Sequence, residues 1–276
     1  MPWFYEPYHD ISAIGIHITE LRHHEQSPFQ DIKVYDTVGH GRLLLLDDMV
    51  MLTELDEFVY HDLITHIPLC VHAAPRQVLV VGGGDGGTVR EVLKHPGVER
   101  VVLCEIDERV SRVCQRWIPS VAGRLDDPRV ELVFSDAVDY VRSHAAAFDV
   151  ALVDSSEPIG PAAGLFAGSF FADLRQALRP GGVISAQTES PFYAAGTVRA
   201  VFNELRGVFR EVHGYIGNIP TYPGGCWTFA LASDDRSPAT LDERRAQALR
   251  CDYFNPAIAS AAFALPEFAR RLVDPA

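Results

Sequence analysis

The chain has 276 residues, 47% of them hydrophobic, and a formal net charge of −13 from 24 basic and 37 acidic side chains. That apolar share can build a large core, while the acidity argues against nucleic acid or an anionic membrane as the main partner, since both call for a basic face. Small cationic ligands suit it better.

The N-terminus MPWFYEPYHD carries neither the basic nor the apolar stretch of a secretory leader, and no apolar run approaches the roughly 20 residues of a membrane span, so a cytoplasmic protein is expected. Trp3, Phe4 and Tyr5 are expected to dock the N-terminus rather than to lid a site. Up to about residue 55 the pattern is β: residues 14–19 alternate as IGIHIT, 31–37 follow, and 42–46 and 49–53 flank Asp47-Asp48. Residues 56–71 are predicted as a helix with Phe58, Val59, Leu63, Ile64 and Ile67 on one apolar face, and Thr53-x-x-Asp56 resembles its capping box. After Ala73-Ala74-Pro75, predicted strands at 78–81, 101–104, 130–134, 150–153 and 183–186 alternate with helical stretches. Near-continuous Val/Leu/Ile strands of this kind form a parallel sheet covered on both faces. Segments 211–216 and 228–232 are expected to finish it as an antiparallel edge, with Cys226 and Trp227 opening the last strand as structural residues. The expected architecture is α/β: a small antiparallel β domain over 1–55, a connecting helix over 56–72, and a Rossmann-like, doubly wound domain over 73–276.

In an open parallel sheet, ligands bind beyond the carboxyl ends of the strands. There the sequence puts Asp85 after the first parallel strand (VLVVGGGDGG), Glu105 after the second (VVLCEIDE) and Asp136 after the third (ELVFSD). Asp154 follows the fourth, with Glu157 close behind (ALVDSSEP). Gly82, Gly84 and Gly87 satisfy G-x-G-x-x-G, a loop that normally brings backbone N–H groups up to phosphate. Singly, each acid has a plain reading: Asp136 caps a helix starting at Ala137, Asp154 caps a turn, Glu157 is surface, and Glu105 is the ribose acid of any nucleoside-binding fold. Together they repel one another unless a cation or protons answer them. A pyrophosphate would be repelled too, so NAD is a poor occupant. A nucleoside carrying positive charge where the phosphates would be fits better, as in S-adenosyl compounds. A methyltransferase would share this loop, but Asp85 opposes the carboxylate of S-adenosylmethionine. A divalent metal stays open, although five carboxylates over four strand ends are more than a magnesium site usually takes. The five cysteines include no C-x-x-C, and His61 and His66 are five apart, the wrong interval for one helix face, so neither a disulfide framework nor a zinc site is indicated and no residue is assigned as a metal ligand.

GGGDGG with REVLKHP, then CEIDE, DSSEPIGPA, IPTYPGG and the tail YFNPAIASAAFALPEF resemble the polyamine aminopropyltransferase family, in particular bacterial spermidine synthases. FQDIKVYDT and TELDEFVYHDLITHIPL resemble the same family, and the likeness runs from about Trp3 to Leu272. The resemblance implies a methyltransferase-type Rossmann domain. It also implies transfer of the aminopropyl group of decarboxylated S-adenosylmethionine to putrescine, giving spermidine and 5'-methylthioadenosine, with no cofactor beyond that co-substrate. By position it implies Asp154 as the catalytic acid residue. Gln30, Asp85 and Glu105 would hold the donor, Glu105 on the ribose, with Asp136 and the Ala137 backbone at the adenine and Pro161 packing nearby. Tyr60, His61, Ser155, Ser156, Glu157 and Tyr222, with Asp85 and Asp154, would face the polyamine. A homodimer or homotetramer is implied as well. Two positions depart from many relatives: Met51 stands for a glutamine and Glu157 for an aspartate, and both bear on which amine is accepted.

Overall fold

Short apolar runs punctuated by turn residues build the N-terminal part of the chain, whose computed structural model describes residues 2–158 and 160–274. Its strands β1 (Trp3–Tyr8), β2 (Ser12–Gln26), β3 (Asp31–Thr37), β4 (Arg42–Leu46) and β5 (Met49–Thr53) form an antiparallel sheet in chain order. The β4–β5 connection turns through Asp47 and Asp48, both left-handed at φ +51° and +61°, as a tight hairpin requires. The segment expected only to dock is a full edge strand: β1 pairs with β2 from Trp3↔His17 to Tyr8↔Ser12. Pro7 is tolerated there because an edge strand need not donate on its outer side. β2 runs well past the expected residue 19, with register shifts between Ile18 and Glu20 and between Leu21 and His23. The four leucines of β4 are buried on both faces. Leu44 and Leu46 join the core of the second sheet with Val78, Val80 and Leu103, while Leu43 and Leu45 pack on Ile16 and Val50.

Helix α1 (Glu57–Val71) leads into that second sheet. It is buried along its whole length except at Phe58, so the one-sided apolar face expected from the sequence is not what forms. Leu63, Ile64 and Ile67 pack with Tyr215, Phe229 and Phe254, and the polar residues between them find buried partners on the other side. The capping box does not form either. Thr53 Oγ1 donates to Asp56 Oδ1 at 2.6 Å, and Asp56 Oδ2 accepts from the N–H and hydroxyl of Thr221 at 2.9 and 2.7 Å. Asp56 thus ties the start of α1 to a distant loop instead of to the helix's own amides.

The second sheet holds β6 (Gln77–Gly82), β7 (Arg100–Glu105), β8 (Val130–Phe134), β9 (Phe148–Asp154), β10 (Leu178–Glu189), β11 (Glu211–Gly217) and β12 (Trp227–Ser233), in the order β11-β12-β10-β9-β6-β7-β8. β6 to β10 pair in parallel, and β12 and β11 close one edge antiparallel. Between them run α2 (Gly87–Val92), α3 (Glu108–Trp117), α4 (Pro119–Ala122), α5 (Ala137–Arg142), α6 (Gly168–Ala177) and α7 (Ala195–Val208). Helices α8 (Glu243–Ala248), α9 (Pro256–Ala261) and α10 (Glu267–Val273) follow. From β6 the chain goes outward to β7 and β8, then returns to β9 and β10 on the other side. The order therefore reverses between β6 and β9, where an open α/β sheet leaves its ligand crevice. Among the described residues no helix is long and apolar enough to cross a membrane.

The Asp56 knot should be measurable. Asp56→Ala strands two buried threonine hydroxyls and an amide, and is expected to lose about 1–3 kcal/mol in denaturant unfolding. A change below about 0.5 kcal/mol, the range of ordinary surface substitutions, would mean that water replaces the carboxylate.

Candidate active site

The pairing of β6 with β9 sets Gly82 opposite Asp154, and the N–H of Gly83 donates to the Asp154 carbonyl at 2.7 Å. A Cβ on Gly82 (φ +73°) would lie 2.3 Å from that carbonyl oxygen, and one on Gly83 (φ +64°) 2.7 Å from Asp154 Oδ2. The glycines are needed here because the loop runs directly against Asp154. Asp85, further along, folds back on its own loop: its Oδ1 accepts from the Gly87 N–H at 2.7 Å and lies 3.3 Å from His61 Nε2.

A cavity of about 290 Å³ opens over these strand ends. Gln30, Tyr60, His61, Asp85, Glu105, Asp136, Ala137, Asp154, Ser155, Ser156, Glu157 and Tyr222 all line it. The side chain of Pro161 lies outside the described residues. Trp227, expected to be structural only, also lines the cavity, and its Nε1 is buried without a hydrogen-bond partner among the described residues, as is Ser155 Oγ.

Both oxygens of Asp154 are held by hydroxyls, Tyr60 Oη donating to Oδ1 at 2.7 Å and Thr88 Oγ1 to Oδ2 at 2.6 Å. Burial and then repulsion from Asp85 raise its pKa, against the opposing pull of His61 and the two hydroxyls. Asp85 goes the other way. Burial pushes it up, but the charge and hydrogen bond of His61 and the Gly87 amide outweigh this and hold it below the usual carboxylate range. His61 is disfavoured as an imidazolium by burial, yet Asp85 and Glu57 together keep it protonated well above its ordinary value. Glu57 is gripped in turn by both terminal nitrogens of Arg90 at 2.8 Å. Tyr60 and Tyr222 stay phenols, pushed up by burial and then by Asp154. Tyr222 Oη donates to the Met51 carbonyl at 2.7 Å, which fixes the ring beside Tyr60 and Trp227.

Towards one end of the cavity, Glu105 accepts from the Asp107 N–H at 2.9 Å, and Gln30 Nε2 donates to Asp107 Oδ2 at 2.9 Å. Burial raises Glu105 to about 7. Asp136 caps α5 by accepting from the Val138 N–H at 2.8 Å while still facing the cavity. A second acidic group stands around Glu157. Glu6 is raised to about 7 and Glu189 to about 8, each by burial first and with Glu157 adding repulsion, and burial raises Glu157 itself. Glu6, Glu189 and Thr88 escaped the sequence reading. Glu189 ends the fifth parallel strand (AQTE), so the strand-end rule extended by one strand finds it. Glu6 lies in the unanticipated β1, and nothing local marks Thr88.

Residues 57–243 match the family model described as spermine/spermidine synthase domain, and residues 2–54 match the spermidine synthase tetramerisation domain. A polyamine aminopropyltransferase of Moorella thermoacetica is 43% identical over 272 residues, covering 99% of this chain and 96% of that protein. One from Bacillus mycoides is 42% identical over 271 residues, covering 98% of each. The crystal structure of a spermidine synthase in complex with the transition-state analogue AdoDATO superimposes with a TM-score of 0.97 at 35% identity, covering 99% of this chain and 94% of that one. The crystal structure of spermidine synthase from Thermotoga maritima gives 0.95 at 35% identity, with the same shares covered.

The raised carboxyls fix the sign of a pH effect. Glu6, Glu105 and Glu189 keep their protons in the folded chain to about 7, 7 and 8, whereas in the unfolded chain they release them near 4.5. Over that interval the folded state binds more protons, so stability falls as pH rises. His61 and His66, the latter raised to about 10, are also held above their ordinary values and add in the same direction, and the buried His72 and His95, held below theirs, act only at lower pH. Denaturant unfolding of the ligand-free protein should therefore lose at least about 2 kcal/mol between about pH 7 and about pH 8.5. Glu105→Gln and Glu189→Gln should flatten that slope, and a stability that rises with pH would contradict the reading.

Proposed function

The chain belongs to the spermine/spermidine synthase family of polyamine aminopropyltransferases, and on that premise we propose that it transfers the aminopropyl group of decarboxylated S-adenosylmethionine to putrescine, releasing spermidine and 5'-methylthioadenosine. The observation that carries the reading is Asp154, oriented by Tyr60 and Thr88 beside Asp85, in a cavity with a further set of carboxyls around Glu157. A diamine bears two positive charges separated by a short apolar chain, and two acidic groups along one cavity suit it.

In this proposal the donor's ribose hydroxyls meet Glu105, and its adenine lies by Asp136 and Ala137. Asp85 and Gln30 complete the donor side, with Asp85 answering the positive charge. The acceptor's reacting nitrogen lies by Asp154, Tyr60 and the Ser155–Ser156 stretch, and its far ammonium lies towards Glu157. His61 acts on Asp85, which it keeps ionised, and the rings of Tyr60, Tyr222 and Trp227 line the chain between and favour cations over their faces. The amine nitrogen attacks the methylene beside the sulfonium, a C–N bond forms, the C–S bond breaks, and sulfur leaves as a neutral thioether that needs no acid. The proton lost by the nitrogen goes to Asp154. An alkyl ammonium has a pKa near ~10.4, so a carboxylate raised above its ordinary value is the better acceptor. Holding nitrogen and carbon close and in line supplies most of the rate. The co-substrate replaces any cofactor, and the tetramerisation match over the N-terminal sheet supports a homo-oligomer.

The direct test is formation of 5'-methylthioadenosine from the two substrates. Asp154→Asn should bind the donor normally and lose about 10²- to 10⁴-fold in kcat, the scale of a general base. A variant that retains more than about a tenth of the rate would remove Asp154 from that role. Asp85→Asn should weaken the cationic donor far more than neutral 5'-methylthioadenosine. Equal weakening would confine Asp85 to loop structure.

Acceptor length is set, in this reading, by Glu157. Its extra methylene relative to aspartate shortens the space for the diamine, so putrescine should be preferred over cadaverine by about 10- to 200-fold in kcat/KM. Glu157→Asp should narrow that ratio, and an unchanged ratio would assign the gauge to another residue.

A further inference from the structure

Helices α1 and α2 and the segment between α8 and α9 bring four metal-ligand side chains to one point away from the cavity. One atom each of Asp62, His66, Glu91 and Cys251 lies within 4.8 Å of all the others. From His66 Nε2 it is 3.1 Å to Glu91 Oε2, 3.2 Å to Cys251 Sγ and 3.4 Å to Asp62 Oδ1. A tetrahedral zinc ion with bonds of about 2.0–2.3 Å sets its ligand atoms roughly 3.3–3.8 Å apart, close to these separations.

Hydrogen bonds alone serve the cluster poorly. Nε2 has at most one hydrogen for three facing acceptors. Asp62 Oδ1 is left without a hydrogen-bond partner among the described residues, although Asp62 is fully buried. Its Oδ2 is already committed to the amides of Tyr253 and Phe254 at 3.1 and 3.0 Å, so the carboxylate is fixed with its free oxygen aimed into the cluster. On the other side of the imidazole, His66 Nδ1 meets His95 Nε2 at 3.0 Å. A histidine whose far nitrogen is held by a neighbour, with its near lone pair turned to the ligand group, is oriented as metal-binding histidines are.

We propose that Asp62, His66, Glu91 and Cys251 form a buried structural site for Zn²⁺. The thiol and imidazole select zinc over magnesium or calcium. Four protein ligands close the tetrahedron, and none of them lines the cavity, so the role is to clamp rather than to catalyse. Zinc would bind a thiolate, a neutral imidazole and two carboxylates, while Arg90 and Lys94 stay paired with Glu91. The ion would join the Cys251 segment to the helix that carries Tyr60 and His61. Histidine spacing within one helix gave no hint of this, because the ligands come from three separate segments.

The test is metal analysis of the full chain from zinc-supplemented cells after desalting in chelator-treated buffer. At least about half a zinc per chain is expected, falling at least fivefold in Cys251→Ser and in Asp62→Asn. Because Asp62→Asn is buried and can misfold, wild-type protein loaded with Co²⁺ provides a second readout that needs no variant. A thiolate-to-cobalt band in the near ultraviolet with tetrahedral visible bands is expected. Less than about half a zinc per chain together with no thiolate–cobalt band, or zinc retained unchanged in a folded Cys251→Ser protein, would overturn the proposal.

Discussion

Asp85 and Asp154 lie at the ends of adjoining strands with atoms of both, and of His61, within 4.8 Å of one another. Two full charges at that distance repel by about 3–4 kcal/mol at an effective dielectric constant near 20, and Asp154 is buried. The structure resolves the conflict by making the two unequal. His61 and the Gly87 amide favour the charge on Asp85, and Asp154, held by two hydroxyls and no cation, is left nearer its neutral form. A buried imidazolium then needs its own support, which comes through Glu57 from Arg90. That chain of four groups sets Glu57 and His61 of α1 against Asp85 and against Arg90 of α2. The contact between the two helices thereby keeps one carboxylate ionised and its neighbour less so.

The cavity around this pair is lined by Glu6, Glu105 and Glu157, whose carboxyls burial holds above their ordinary pKa. In the proposed function, an ammonium entering beside Glu105 or Glu6 would exchange for a proton rather than simply add charge.

The strands of the second sheet were legible because parallel strands buried on both faces are written as unbroken Val/Leu/Ile runs, and their polar ends mark where a crevice opens. Asp85, Glu105, Asp136 and Asp154 were therefore visible as a group before any geometry was known. β1 was not, because WFYEPY contains a proline and belongs to an edge, where pairing depends on the partner strand more than on its own residues. α1 misled in a different way. Its apolar residues read as a single face, yet His61, Asp62 and His66 are buried as well, against partners from other segments, a tertiary fact that periodicity cannot carry. Thr88 and Glu6 share that limit: each is an ordinary residue in its own neighbourhood and acquires meaning only from what the fold sets across from it.

Tyr222 is anchored on the carbonyl of Met51, not on its side chain. The backbone offers that acceptor whatever residue occupies position 51, so the anchor and the chemistry of the wall are separable. A lineage can exchange methionine for an amide or a smaller side chain there, altering how the cavity greets the middle of a guest chain, while the aromatic ring keeps its post. Position 51 is in that sense a neutral corridor for divergence. In the proposed function, the amine accepted could therefore be retuned at position 51 by a single step that leaves the tyrosine in place.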